Sequence, residues 1–188
     1  MDRLKIAGLT LFVAFAEFVI GLTISEALRS GYSVSSNYIS DLGVGSSSII
    51  FNTSVFLLGL LVLVGAYCLQ RALNCRVLTI FLALTGVGAM GVGVFNEDFG
   101  VIHTIMSLIT FLFGGLSAIA SFRVVKFPFS AVAMLLGLTG ISALCLFGVG
   151  ADLGLGRGGM ERMIAYPLLI WGGGFGGCLM SGVNVPEK

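Results

Sequence analysis

The sequence predicts an all-α fold, a polytopic membrane bundle of six transmembrane helices with both termini in the cytoplasm. Three observations carry that prediction. Of the 188 residues, 57% are hydrophobic and only 10% are charged, with a mean hydropathy of +1.07. A soluble domain is about a quarter charged, so this chain lacks the polar residues to cover a globular surface in water. Six stretches are apolar over about 20 residues, the length that crosses a hydrocarbon core. These runs are continuously apolar rather than alternating, which excludes a membrane β-barrel. The net charge of +1 gives no field for nucleic acid, so no nucleic-acid partner is expected.

The spans fall at about residues 4–28, 49–70, 77–95, 101–122, 129–149 and 163–183, as one domain over 1–188. The first follows Arg3 and Lys5. It is too long for a secretory signal, and no small-x-small cleavage site follows it, so it is expected to be retained. It also carries Glu17 near its middle and Glu26 near its outer end. A charge at mid-depth costs about 3 kcal/mol on insertion scales. Glu17 is therefore neutral, paired, or open to a wet cavity that would also hold Glu26. Asn52 stands near the start of the second span. The third span is glycine-rich at Gly86, Gly88, Gly91 and Gly93, and the sixth at Gly172, Gly173, Gly174, Gly176 and Gly177. Small residues let helix backbones approach closely in lipid, although a run of three also weakens a helix. The fourth span carries the only histidine, His103, about one turn inside its start. The four cysteines form no metal-type pair and read as small apolar residues.

The gaps between spans set the orientation. Arg3, Lys5, Arg71, Arg76, Arg123, Lys126 and Lys188 share the side of the termini, against Arg29, Arg157 and Arg162 opposite. The positive-inside rule then places the termini in the cytoplasm of a plasma-membrane protein. The acids sort the other way: Glu26, Asp41, Glu97, Asp98, Asp152 and Glu161 all fall on the outer side.

The first outer loop holds Tyr38, Ser40 and Asp41, and the second reads Asn96-Glu97-Asp98-Phe99-Gly100. Asn96 or Asp98 suits the cap of the fourth helix. The third outer loop is expected to run from about residue 150 to Arg162. Its Asp152-Leu153-Gly154-Leu155-Gly156 looks like a copy of Asp41-Leu42-Gly43-Val44-Gly45. In a glycine-rich chain such strings also match by chance. If they are a repeat, a ligand site is expected where its halves meet. Arg162 at a helix N-terminus is repelled by the dipole and calls for an acidic partner, for which Asp41, Asp98 and Asp152 are candidates; an anion clamp for a phosphate or carboxylate is the alternative.

Several strings resemble a known family: Asn37-Tyr38-Ile39-Ser40-Asp41-Leu42-Gly43, Phe51-Asn52, Asn96-Glu97-Asp98 with His103, and Gly159-Met160-Glu161-Arg162. The chain resembles a prokaryotic family of small multi-pass membrane proteins classed only as a domain of unknown function, and is distantly similar to DRAM-type multispan proteins. Many relatives carry Pro in the acidic loop and Gln before the final Arg, where this chain has Asn96 or Glu97 and Glu161. The resemblance implies a six-helix bundle and supplies no reaction.

Three functions compete. The first is a lipid-facing enzyme, with Ser40 as nucleophile and His103 as base, or with a divalent metal on Asp41, Asp98 and His103. Its substrate would be a membrane lipid or lipid-linked group. One histidine cannot build a three-His zinc site, and no Gly-x-Ser-x-Gly elbow is present. The second is binding or transport of an ion, a proton or a small amphiphile in an outer cavity floored by Glu17. A transport path through six short helices calls for a homo-oligomer. A haem held by His103 is weaker, for want of a second histidine. The third is a structural bundle with an ion-paired outer lid, acting through a partner protein.

Overall fold

The computed structural model describes residues 2–182 and contains six long helices, with no strand among those residues. They are α1 (Arg3–Leu28), α2 (Ser48–Leu73), α3 (Arg76–Val94), α4 (Val101–Ala120), α5 (Phe129–Gly148) and α6 (Gly156–Ser181). All six are long and apolar enough to cross a membrane, so the chain is a multi-pass membrane protein. Val183 and Lys188, placed above in the last span and on the side of the termini, lie outside the described residues.

Each helix packs on its chain neighbours, and α6 returns to α1, closing a ring of six. The last closure brings Gly8 of α1 against Gly176 and Met180 of α6, so the start of the first helix lies beside the end of the last. We call that end the terminal face and the opposite end the distal face. The ring is tightened at glycine pairs. A Cβ on Gly59 of α2 would stand 2.4 Å from the carbonyl oxygen of Gly86 on α3, and one on Gly137 of α5 would stand 2.7 Å from that of Gly115 on α4. Packing of this kind substitutes in lipid for the hydrophobic effect between helices. Trp171 and Phe175 of α6, both buried, stack at 5.4 Å, and the Trp171 indole donates to Ser121 Oγ at 3.1 Å. The buried tryptophan thus has its one polar atom satisfied.

One boundary differs markedly from expectation. Helix α6 starts at Gly156, well before the expected residue 163. Its first turns pass under the first distal loop, where the Gly158 N–H donates to Ser35 O at 2.9 Å. A Cβ on Gly158 would lie 2.0 Å from Asn37 O, so glycine is what allows this helix to run beneath the loop. Glu161 and Arg162 consequently sit in the second turn of α6, buried, rather than in a loop.

Candidate functional site

The distal face is organised around Arg162. Arg162 is buried at 4% exposure, and its side chain meets α1, the loop after it and its own helix. Nη2 donates to Glu26 Oε1 of α1 at 2.6 Å and to the Tyr32 hydroxyl at 2.7 Å. Nη1 donates to the carbonyls of Val34 at 2.8 Å, Gly158 at 3.0 Å and Asn37 at 3.3 Å. The acidic partner is therefore Glu26, not Asp41, Asp98 or Asp152. A planar guanidinium with five donors suits such a junction. Tyr32 passes the connection on by donating to Tyr38 O at 2.8 Å. Burial raises the pKa of its phenol, with Arg162 pulling the other way.

The loop so held presents the turn Ser40–Gly43. Asp41 is held in it through Oδ2, which accepts from Tyr38 N at 2.9 Å and Asn37 Nδ2 at 3.0 Å, while its carboxylate also neighbours Glu97. Arg29 donates to the carbonyls of Asp41 and Val44. The side-chain amides of Asn52 and Asn96 both donate to Gly43 O, at 3.0 and 3.3 Å. Asn52 is thus a latch for the turn, and Asn96 ties the second distal loop to it. Asn96 also accepts from Asp98 N, capping the short turn Glu97–Phe99, while Gly100 is the N-cap of α4. Neither Asn96 nor Asp98 caps α4, contrary to expectation.

Beside this loop lies a cleft of about 490 Å³. Its polar wall includes Tyr38, Ser40, Glu97, His103, Ser107 and Glu161. Its far side is apolar, from Leu108 of α4 and from Leu144 and Phe147 of α5. Helices α4 and α5 meet at Gly115 and Gly137, and the cleft occupies the space between their distal ends. Leu108 at its rim is 49% exposed, on a helix surface that faces lipid. Ser40 Oγ donates to Glu97 Oε1 at 2.7 Å. Burial, and then neighbouring Asp41, raise the pKa of the Glu97 carboxyl, against the Ser40 hydrogen bond and the Arg29 charge. Glu161 accepts from Ile39 N. His103 Nδ1 lies 2.8 Å from Phe95 O, and Nε2 lies 3.3 Å from Ser107 Oγ.

Of the expected site residues, the cleft brings together Tyr38, Ser40, Glu97, His103 and Glu161. Ser40 and His103 share it but are each bonded elsewhere, so the nucleophile–base pair is not formed. The metal set Asp41, Asp98 and His103 is not assembled either. Asp98 is exposed, Asp41 is bonded within its own loop, and no group of three His, Cys, Asp or Glu side chains fit for a metal occurs among the described residues. Asp152 is also exposed, accepting from Gly154 N at 3.0 Å. Leu153 takes a left-handed φ of 50° and is 69% exposed, whereas its counterpart Leu42 is fully buried in the Ser40–Gly43 turn. The two Asp-Leu-Gly strings therefore play different structural parts.

Glu17 does not floor this cleft. It lies between α1 and α2, where Ser54 Oγ donates to its Oε1 at 2.5 Å. Nor does it share a cavity with Glu26. Nine residues are two and a half helical turns, which puts the two acids on opposite sides of α1.

A second cavity, about 80 Å³ and almost wholly apolar, lies in the middle of the ring among Phe15, Phe18, Phe51, Leu58, Ala89 and Leu168. Ser40, Ser107, Phe111 and Glu161 line both it and the distal cleft. Ser107 and Phe111 are not among the residues expected at the site. The signal for Ser107 is its place four residues after His103 on one helix face.

No curated protein and no solved structure matches this chain. The model of one family, described as a protein of unknown function (DUF998), matches residues 12–176. That match takes in α2 to α5 whole and most of α1 and α6, and the chain belongs to this DUF998 family of unknown function.

Proposed function

We propose that the protein binds a membrane amphiphile, a lipid or lipid-linked group, through the distal cleft. The head group would rest against Ser40, Glu97, His103 and Glu161, and the hydrocarbon would enter the central cavity. One observation carries this reading: the polar cleft and the apolar cavity adjoin, sharing Ser40, Ser107, Phe111 and Glu161 in their linings. A site with a polar end, an apolar end and a lipid-facing rim fits a molecule built the same way. The wall offers two carboxyl groups and no cationic side chain, which favours a head group that donates hydrogen bonds or carries positive charge. Binding accounts for the arrangement better than hydrolysis, because Ser40 and His103 are each engaged with other groups. The basic residues of the terminal face support a cytoplasmic position for that face in a plasma-membrane protein, which would open the cleft to the outer leaflet.

Titration of the protein in nanodiscs with dodecyltrimethylammonium, read by calorimetry, tests the reading. Ser107→Trp places an indole at the boundary that the two cavities share. It is expected to weaken binding of the 12-carbon cation by about tenfold or more, from the lost burial of several methylenes. Tetramethylammonium, which has no chain, should bind the variant and the parent alike. Unchanged dodecyl binding in Ser107→Trp would remove the tail from the central cavity.

Glu97→Gln is expected to weaken the cation about fivefold, the scale of one partly exposed charge pair. The sign with pH follows from the raised Glu97 pKa. The parent should bind this permanently charged cation more tightly as rising pH ionises Glu97. Glu97→Gln should flatten that slope, and an equal slope in both would take Glu97 out of the head-group site.

A further inference from the structure

The terminal face carries a groove of its own, about 550 Å³, between α3 and α4. Arg76 and Arg123 line it on the polar side, and Val77, Phe81, Leu116 and Phe122 form its apolar wall. Both arginines are exposed, and neither has a carboxylate: among the described residues the one ion pair is Arg162 with Glu26, on the distal face. Arg123 stands 5.4 Å from the centroid of the Phe122 ring, an arrangement suited to the boundary between lipid chains and head groups. Arg76 is the first residue of α3, and the N-cap Cys75 supplies no side-chain hydrogen bond. The first N–H groups of α3 therefore lack a side-chain cap, at the end of a helix that attracts anions. A cation in that position is electrostatically misplaced unless an anion joins it. The groove wall is lipid-exposed as well, with Val77 at 49% and Phe122 at 42%.

We propose that this groove holds an anionic phospholipid from the leaflet on the terminal face. Its phosphate sits between Arg76, Arg123 and the α3 N-terminus, and an acyl chain lies between α3 and α4. Charge complementarity selects the head group. The basic groove between transmembrane helices is the kind of place where phospholipid head groups are held. This site is independent of the distal cleft, since the two cavities share no residue.

The test uses the full chain in detergent, titrated with dioleoylphosphatidylglycerol or dioleoylphosphatidylcholine, with bound lipid counted by native mass spectrometry. The parent is expected to prefer the anionic lipid roughly 10- to 30-fold, as two arginines near a membrane surface would give. Arg76→Ala/Arg123→Ala should abolish the preference. Arg71→Ala/Lys126→Ala removes the same charge from exposed positions outside the groove and should keep it. Equal loss in both double variants would reduce the effect to overall face charge and overturn the proposal, as would a preference that survives Arg76→Ala/Arg123→Ala. Inorganic phosphate at millimolar concentration should not displace the lipid. Displacement would make the groove a site for free anions instead and would also overturn the proposal. Circular dichroism of each variant checks that helicity is unchanged.

Discussion

Arg162→Met is expected to destabilise the protein by about 3–5 kcal/mol, the cost of breaking a buried ion pair from one side. The substitution keeps much of the side chain's length and removes every donor. It would strand Glu26, the Tyr32 hydroxyl and the carbonyls of Val34 and Asn37 together. The loop between α1 and α2 would then have lost its attachment to α6. Thermal unfolding in micelles, followed by circular dichroism, reads the stability. Limited proteolysis within residues 30–47 reads the loop. Tyr32→Phe removes one of these contacts and should cost only about 1 kcal/mol. A loss below about 1 kcal/mol in Arg162→Met would show that other contacts hold the loop, with Asn52 and Arg29 the first to consider.

The second large effect concerns two adjacent glycines. Gly176→Ala is expected to cost about 1–3 kcal/mol, the usual range for overpacking. Its Cβ would lie 2.6 Å from Phe12 N and 2.8 Å from Gly8 O. Both are backbone atoms, so relief requires α1 and α6 to part. Gly177→Ala meets nothing within 4 Å. It should be neutral, or stabilising by up to about 1 kcal/mol through helix propensity. Unfolding in sodium dodecyl sulfate compares the two. Equal effects would mean that close approach does not explain Gly176, and that the α6 glycines act through helix flexibility.

The contrast between these neighbours marks where the sequence was legible. Six spans follow from length and hydropathy alone, because lipid imposes both on every helix. Which glycine packs and which faces open space depends on how α6 is rotated toward α1, and no local pattern records that. The early start of α6 was hidden for a related reason. Residues 156–162 include three glycines and three charged side chains, so hydropathy reads them as a loop, while their helix is supported by carbonyls of a loop far away in the chain. The partner of Arg162 was missed because Glu26 lies 136 residues earlier and is brought near only by ring closure. Sorting acids by side gathers them at the distal face but says nothing of direction, and so it groups the exposed Asp98 and Asp152 with Glu97 and Glu161, which line the cleft. The separation of Glu17 from Glu26 was available in advance from the helical period.

The Arg162 cluster also sets an order of assembly. Its bonds to Glu26, Tyr32, Val34 and Asn37 each span more than 120 residues. The loop they fasten leaves the ribosome long before the helix that fastens it. Through the synthesis of four helices, α2 to α5, the Asp-Leu-Gly turn and its cleft wall lack their anchor, and the apolar edges of α1 and α5 await a neighbour. Arrival of α6 closes the ring and fixes the loop in one event. The geometry of the distal cleft is therefore a property of the finished chain, and a nascent protein halted before Gly156 would hold most of the membrane-spanning mass without the anchor of that cleft's wall.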